Sequence, residues 1–222
     1  MYRMLNLVLL LILGCAPGVN DVAGLGRYRE ENALLLPPKE AENRVIFLGD
    51  SITDVWSLEQ SFPQKSYLNR GISGQTTLQM LGRFRQDVIQ LHPTSVVILA
   101  GTNDIARLSD SGSLEGIKAN FESMVELSQM HQIRVVLCSV LPVNDYNSAH
   151  RDSFAAWRME KIRELNEWLR EYSLSHQLLY IDYFTSMVDD AGYLRRELAD
   201  DGLHPNLAGY AIMAELVKSA LD

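Results

Sequence analysis

The stretch Val45–Trp56, VIFLGDSITDVW, places an apolar run directly before a Gly-Asp-Ser junction. The run VIFLG is continuous rather than alternating in polarity, which is typical of a strand that is covered on both faces. The residues after the junction are helical in pattern. A serine at such a junction can cap the helix, bind a phosphate or attack an ester, and the rest of the chain must distinguish these roles.

Further apolar runs continue the strand pattern along the chain, and amphipathic segments separate them. The predicted strands lie within residues 44–49, 66–71, 95–101, 133–141 and 178–182. Between them, apolar residues recur at three and four positions, which predicts helices that cover the sheet around residues 78–91, 117–125 and 162–172. A last helix, Leu207 to Leu221, follows Pro205. This succession predicts an α/β fold, a three-layer α/β/α sandwich with a mainly parallel sheet of about five strands.

The size and charge of the chain exclude several classes of function. At 222 residues the chain is long enough for one well-buried domain. Its net charge of -8 is spread over many short segments, so the clustered Lys and Arg of a nucleic-acid-binding protein are missing. The two cysteines, Cys15 and Cys138, lie near no second Cys or His at metal-ligand spacing. We therefore expect neither a nucleic-acid partner nor a zinc site.

The first residues, MYRMLNLVLLLILGCAPG, form a separate segment. Their apolar run of about ten residues is shorter than the about twenty of a transmembrane helix and fits a signal peptide. The ending Leu13-Gly14-Cys15 resembles the lipobox of bacterial lipoproteins, which implies a lipidated Cys15 and an exported, membrane-anchored protein of the cell envelope. Ala16, directly after the cysteine, resembles the residue that sorts lipoproteins to the outer membrane. In a host with two membranes, this implies anchoring at the periplasmic face of the outer membrane. A plain signal peptide or an N-terminal core helix is the alternative.

The predicted organisation has three parts. Residues 1–14 form the lipoprotein-type signal, and residues 15–43 form a tether with a helical segment that ends at Pro37-Pro38. Residues 44–222 form the folded domain.

Polar residues follow several of the predicted strands, and the carboxyl ends of parallel strands meet at one edge of a sheet, where sites form. Gly49-Asp50-Ser51 follows the first strand, Gly71 to Gly74 the second, and Gly101 to Asp104 the third. The later stretch DDGLHPNLAGY supplies Asp201 and His204. Serine, histidine and carboxylate are the components of a nucleophile that is activated by a general base. The three-residue spacing lets Asp201 curl back to the histidine ring.

Four blocks in this order, FLGDSIT, NRGISGQTT, LAGTNDI and DGLHPN, resemble the SGNH hydrolases, also called the GDSL lipase and esterase family. The resemblance covers Arg44 to the C-terminus and implies a flavodoxin-like fold. It implies that Ser51 is the nucleophile, His204 the general base and Asp201 its orienting acid. It also implies an oxyanion hole formed by Ser51, Gly74 and Asn103.

Each of these residues also has a structural interpretation. Ser51 can be only an N-cap, Asn103 can lie in a turn after a strand, and His204 can be a surface residue ahead of a proline. Asp50 and Asp104 are expected to hold their loops by hydrogen bonds. The α/β-hydrolase elbow, Gly-x-Ser-x-Gly, does not match Gly49-Asp50-Ser51-Ile52-Thr53.

The resemblance implies a hydrolase, specifically a serine esterase that works through an acyl-enzyme without a metal or organic cofactor. Polar segments such as LPVNDYNSAHRD and the absence of a long apolar lid favour short acyl groups, acetyl above all, on carbohydrate. The alternatives are a lysophospholipase, arylesterase or thioesterase on lipid-like esters, acyl transfer to a sugar, and a non-catalytic glycan-binding lipoprotein. The expected partners are therefore an ester substrate and, through Cys15, a membrane.

Overall fold

The computed structural model describes residues 21–109, 111–144 and 156–221. The predicted signal segment, residues 1–14, and the predicted lipidation site, Cys15, lie outside these ranges, as does most of the polar stretch LPVNDYNSAHRD.

A five-stranded sheet forms the centre of the fold, with the strand order β2-β1-β3-β4-β5 and parallel pairing throughout. The strands are β1 Val45–Gly49, β2 Tyr67–Gly71, β3 Ser95–Leu99, β4 Arg134–Cys138 and β5 Leu179–Ile181. Each lies within a predicted apolar run, and every residue of β1 and of β3 is buried. The predicted parallel sheet is therefore confirmed, and burial of both faces explains why its strands do not alternate in polarity.

Helices cover both faces of the sheet. They are α1 Arg29–Leu34, α2 Ser51–Asp54, α3 Leu58–Ser61, α4 Thr77–Asp87, α5 Thr102–Arg107, α6 Glu115–Met130, α7 Ala156–Ser175, α8 Tyr183–Met187 and α9 Leu207–Leu221. Ile46 and Leu48 of β1 pack in the core with α4, α6 and α7. Val45 and Phe47 pack on the opposite face with α2, α3, α8 and α9. The three-layer α/β/α sandwich is therefore confirmed.

The strand register brings the carboxyl ends of β1, β2 and β3 to one level. Gly49, the last residue of β1, is paired with Gly71 of β2 on one side and with Leu99 of β3 on the other. After β1 the chain forms β2 on one side of it and then β3 on the other side, so the strand order reverses beside β1. Open α/β sheets bind their ligands at this kind of position.

Residues 21–34, here called the N-terminal strap, lie along α4. Three glutamine side chains hold the strap by donating to its backbone carbonyls: Gln79 to Val22 at 2.8 Å, Gln75 to Ala23 at 2.8 Å and Gln86 to Leu25 at 2.7 Å. The strap also reaches β2, where the hydroxyl of the buried Tyr28 donates a hydrogen bond to the carbonyl of Gly71. The guanidinium of Arg70 lies over the Tyr28 ring, 4.6 Å from the ring centroid. The helical part of the segment before Pro37 is limited to α1.

We expect Gly71→Ala to lower the free energy of unfolding by about 1 to 3 kcal/mol, the usual cost of overpacking. A Cβ at Gly71 would lie 2.1 Å from the backbone N of Asp54, at the end of α2, so backbone must shift. Urea unfolding measures the change. Gly116→Ala is the control, because a Cβ there meets nothing within 4 Å, and equal losses in the two variants would contradict this account of Gly71.

Candidate active site

Ser51 is the first residue of α2, directly beyond the carboxyl end of β1. The side chain that caps this helix belongs to the preceding residue, because Asp50 Oδ1 accepts a hydrogen bond from the backbone N–H of Ile52 at 3.0 Å. The interpretation of Ser51 as only an N-cap is therefore wrong. Its hydroxyl lies instead 2.9 Å from Nε2 of His204, which is 153 residues away in sequence.

Asp201 holds the ring of His204 by its side chain and its backbone at once. Oδ2 of Asp201 lies 2.7 Å from Nδ1 of His204. Oδ1 accepts from the backbone N–H groups of Leu203 and His204 at 2.9 and 2.8 Å. With the Nδ1 proton donated to the carboxylate, Nε2 is left as the acceptor for the Ser51 hydroxyl. The structure thus brings the three predicted triad residues into one hydrogen-bonded line.

The pKa of Asp201 lies below its usual value. Partial burial by itself raises this pKa, but the hydrogen bonds from the His204 side chain and from the two backbone N–H groups outweigh it. The carboxyl is therefore an anion at neutral pH. An anion at this position stabilises the imidazolium that forms when His204 takes a proton.

The predicted oxyanion donors lie around the same edge of the sheet. Gly74 has a φ of +78°, a left-handed conformation that glycine adopts without a steric cost. Asn103, in the first turn of α5, donates from Nδ2 to the carbonyl of Gln75 at 3.1 Å and lies 3.3 Å from Oδ2 of Asp50. Within the described ranges, no group accepts a hydrogen bond from the backbone N–H of Ser51 or of Gly74. Both N–H groups are available to a substrate oxygen.

Asp104 joins the two helices that border this edge. Its carboxylate accepts from the backbone N–H of Thr77 at 2.9 Å and from the Thr77 hydroxyl at 2.6 Å. Thr77 begins α4 and Asp104 lies in α5, so this contact fixes the loop after β2 relative to the loop after β3. Asp104 and Asp50 thus make the loop-holding hydrogen bonds that the sequence predicts for them.

Two buried polar residues beside the site, Gln75 and Arg83, were not predicted from the sequence. Arg83 is fully buried on α4 and donates from Nε to Oε1 of Gln75 at 2.6 Å. The burial of Arg83 is indicated in the sequence only by its position in α4, because it lies on the same face as Met80, Phe84 and Asp87, which are all buried. In the part of the chain that the structure describes, no group of three or more His, Cys, Asp or Glu side chains could hold a metal ion.

We expect Asp50 to make the protein less stable as the pH rises from 3.8 to about 6. Burial raises the pKa of its carboxyl from 3.8 to about 6, although the Ile52 N–H lowers it. Between these values the native state retains a proton that the unfolded chain releases, so stability falls with rising pH, by as much as about 3 kcal/mol. Urea unfolding between pH 4 and 7 measures this fall. Asp50→Asn should flatten it, and an unchanged slope would contradict the assignment to Asp50.

Comparisons with known proteins agree with this arrangement. The profile of the GDSL-like lipase/acylhydrolase family matches residues 47–212. The crystal structure of a GDSL-like lipase from Bacteroides thetaiotaomicron is 38% identical, covers 90% of this chain and 97% of that one, and superposes with a TM-score of 0.82. The platelet-activating factor acetylhydrolase IB subunit alpha2 of Rattus norvegicus is 26% identical over 201 residues, which are 86% of this chain and 82% of that protein.

A third relative matches a shorter part of the chain. The uncharacterized lipoprotein YqeF of Bacillus subtilis is 35% identical over 86 residues, and this match spans 37% of the chain but only 35% of that protein. Across residues 21–109, 111–144 and 156–221, no helix is long and apolar enough to cross a membrane. The family profile runs from within β1 to within α9 and includes Ser51, Asp201 and His204. The chain therefore belongs to the GDSL-like lipase/acylhydrolase family.

Proposed function

We propose that this chain is a serine esterase that hydrolyses carboxylic esters through an acyl-enzyme, with short acyl groups, acetyl above all, on carbohydrate as its substrates. The observation that carries the proposal is the line from Ser51 Oγ to His204 Nε2 at 2.9 Å and from His204 Nδ1 to Asp201 Oδ2 at 2.7 Å. A serine hydroxyl is a weak nucleophile until a base takes its proton, and this line supplies the base and its orienting acid.

In the first half of the reaction, Ser51 Oγ attacks the ester carbonyl carbon as its proton passes to Nε2 of His204. The oxyanion that forms accepts hydrogen bonds from the backbone N–H groups of Ser51 and Gly74. The side chain of Asn103 is the third donor. Of the two hydrogen bonds from its Nδ2, the one to Asp50 is the longer, at 3.3 Å, and a substrate oxygen can replace it. Such a donor typically contributes about a hundred to a thousandfold to kcat.

Collapse of this intermediate breaks the ester C–O bond, and the imidazolium of His204 protonates the leaving alcohol. A water molecule then gives a proton to Nε2 and attacks the acyl-enzyme. The second intermediate collapses to release the acid and restore Ser51. Proton transfer by His204 contributes about a hundred to ten thousandfold.

Polar groups around Ser51 support a short acyl group on a hydroxylated alcohol. The exposed Arg107 donates to the carbonyl of Gly74 at 2.8 Å, and Ser73 donates its hydroxyl to Asp54 at 2.7 Å. Hydroxylated substrates are recognised by donors and acceptors of this kind. The name of the rat relative, an acetylhydrolase, supports the acetyl group.

Lipid-like esters are the second candidate, and a specific observation favours them. Three exposed apolar side chains closely follow the candidate site residues in the sequence: Val55 after Ser51, Leu78 after Gly74 and Leu207 after His204. A groove of about 360 Å³, lined in part by Trp56, Pro205 and Tyr210, begins beside His204. Val55 and Leu207 also line this groove, and an apolar lining of this kind can hold an acyl chain.

We also propose that Cys15 carries a lipid that anchors the protein to a membrane of the cell envelope. The resemblance of Leu13-Gly14-Cys15 to a lipobox supports this proposal. The relative from Bacillus subtilis, which is named a lipoprotein, adds support.

We expect the form that starts after Cys15 to hydrolyse p-nitrophenyl esters, with the highest kcat/KM for acetate across the series from acetate to decanoate. Ser51→Ala should lower this activity to background, because it removes the hydroxyl that lies 2.9 Å from Nε2 of His204. Spectrophotometric release of p-nitrophenol measures both. A maximum at medium or long chains would replace the carbohydrate proposal by the lipid one, and turnover that survives in Ser51→Ala would overturn the serine mechanism.

We expect Asp201→Asn to lower kcat by about a hundred to ten thousandfold with a small change in KM, because His204 loses the carboxylate that fixes its tautomer. Steady-state kinetics on p-nitrophenyl acetate measures this. Asp200→Asn is the matched control, since Asp200 is the adjacent, exposed carboxyl and contacts Asn206 rather than His204. Equal activities of the two variants would contradict the role proposed for Asp201.

A further inference from the structure

The fully buried guanidinium of Arg83 contacts one residue of its own helix and two other segments of the chain. Nε donates to Oε1 of Gln75 at 2.6 Å, and Nη2 donates to the carbonyl of Gly49 at 3.2 Å. Nη1 donates to Asp87, one turn further along α4, at 3.1 Å, and that carboxyl is also fully buried. An ion pair in the interior is weak evidence for stability, because removing both charges from water is costly. The positions of its other two partners indicate a further role.

The first partner, Gln75, belongs to the loop that contains Gly74, one of the three proposed oxyanion donors. It directly follows Gly74, and its backbone carbonyl accepts the 3.1 Å hydrogen bond from Nδ2 of Asn103. The same side chain that binds Arg83 also donates to Ala23 of the N-terminal strap. The side chain of Gln75 is therefore held by Arg83 and by the strap. Its backbone carbonyl is connected to Asn103 by a hydrogen bond.

The second partner, the carbonyl of Gly49, lies two residues before Ser51. It also accepts from the backbone N–H of Ile72, at the start of the loop after β2, at 3.0 Å. One planar guanidinium therefore bridges the segment that carries the nucleophile and the segment that carries Gly74 and Gln75. The fixed fork of an arginine suits this task, and the single ammonium of a lysine does not.

We propose that Arg83 is a positioning residue of the esterase: through Gly49 and Gln75 it holds Ser51 in register with the oxyanion donors Gly74 and Asn103. This inference rests on the proposed function of the site. Arg83 does not touch the substrate and acts only through the groups that it holds. Because catalysis depends steeply on geometry, its effect falls on kcat rather than on KM.

Arg83→Lys tests this proposal, with Arg70→Lys as the matched control. Arg70 is also buried, is paired with Glu31 at 2.8 Å and contacts the strap through Asn32, but it does not contact Gly49 or Gln75. We expect Arg83→Lys to lower kcat for p-nitrophenyl acetate about ten to a hundredfold with KM nearly unchanged. Arg70→Lys should leave kcat within about twofold, since it leaves that geometry intact. Urea unfolding of both variants measures how far each change affects folding.

A second pair of variants decides the matter if Arg83→Lys does not fold. Gln75→Met and Gln86→Met each remove one glutamine bond to the strap, to Ala23 and to Leu25, but only Gln75 also binds Arg83. We expect Gln75→Met alone to lower kcat. Equal kcat values within each pair that folds, beside a wild type with Ser51-dependent turnover, would overturn the inference and leave the proposed function in place. A wild type without Ser51-dependent turnover would overturn both.

Discussion

The parallel pairing of β1 with β2 on one side and β3 on the other determines where everything else in the site lies. Gly49, Gly71 and Leu99 end their strands at one level, so the three loops that follow start from a common edge. A slip of one residue would exchange the two buried faces of β1, so that Phe47 would meet the helices that now cover Leu48. The three loops therefore start from the buried ends of paired strands, and a site built from three loops requires such support.

Two carboxyls near Ser51 show how the same side chain acquires opposite properties from its surroundings. Asp50 is buried beneath the nucleophile, and burial raises its pKa to about 6 while it caps α2. Asp201 is partly exposed, and three hydrogen bonds from its own loop hold its pKa below the usual value. The buried carboxyl caps α2, and the partly exposed one holds the ring of His204. Environment rather than residue type separates the two roles.

The parts of this structure that follow from local pattern were predictable, and those that depend on packing were not. The five strands followed from their continuous apolar runs, and the long helices followed from the period of their apolar residues. The segment predicted as one helix is divided, because α4 ends at Asp87 and a 3₁₀ turn, Ile89–Leu91, completes it. Arg83 and Asp87 are four residues apart, a spacing that on most helices indicates an exposed ion pair. Only the assembled sheet shows that this pair is buried under Gly49. The capping of α2 by Asp50 rather than Ser51 likewise depends on the conformation of the backbone at this turn, which the sequence pattern does not determine.

The attachment of the strap to Gln75 sets a limit on reach. Ala23 is bonded to the loop that contains Gly74, and it lies eight residues after Cys15. Eight residues of fully extended chain span at most roughly 29 Å. If Cys15 is acylated, Ala23 and the loop bonded to it stay within about that distance of the lipid headgroups, however the rest of the domain rotates. Such an enzyme would act on esters in a thin layer next to the membrane, and esters deeper in the compartment would have to diffuse to it.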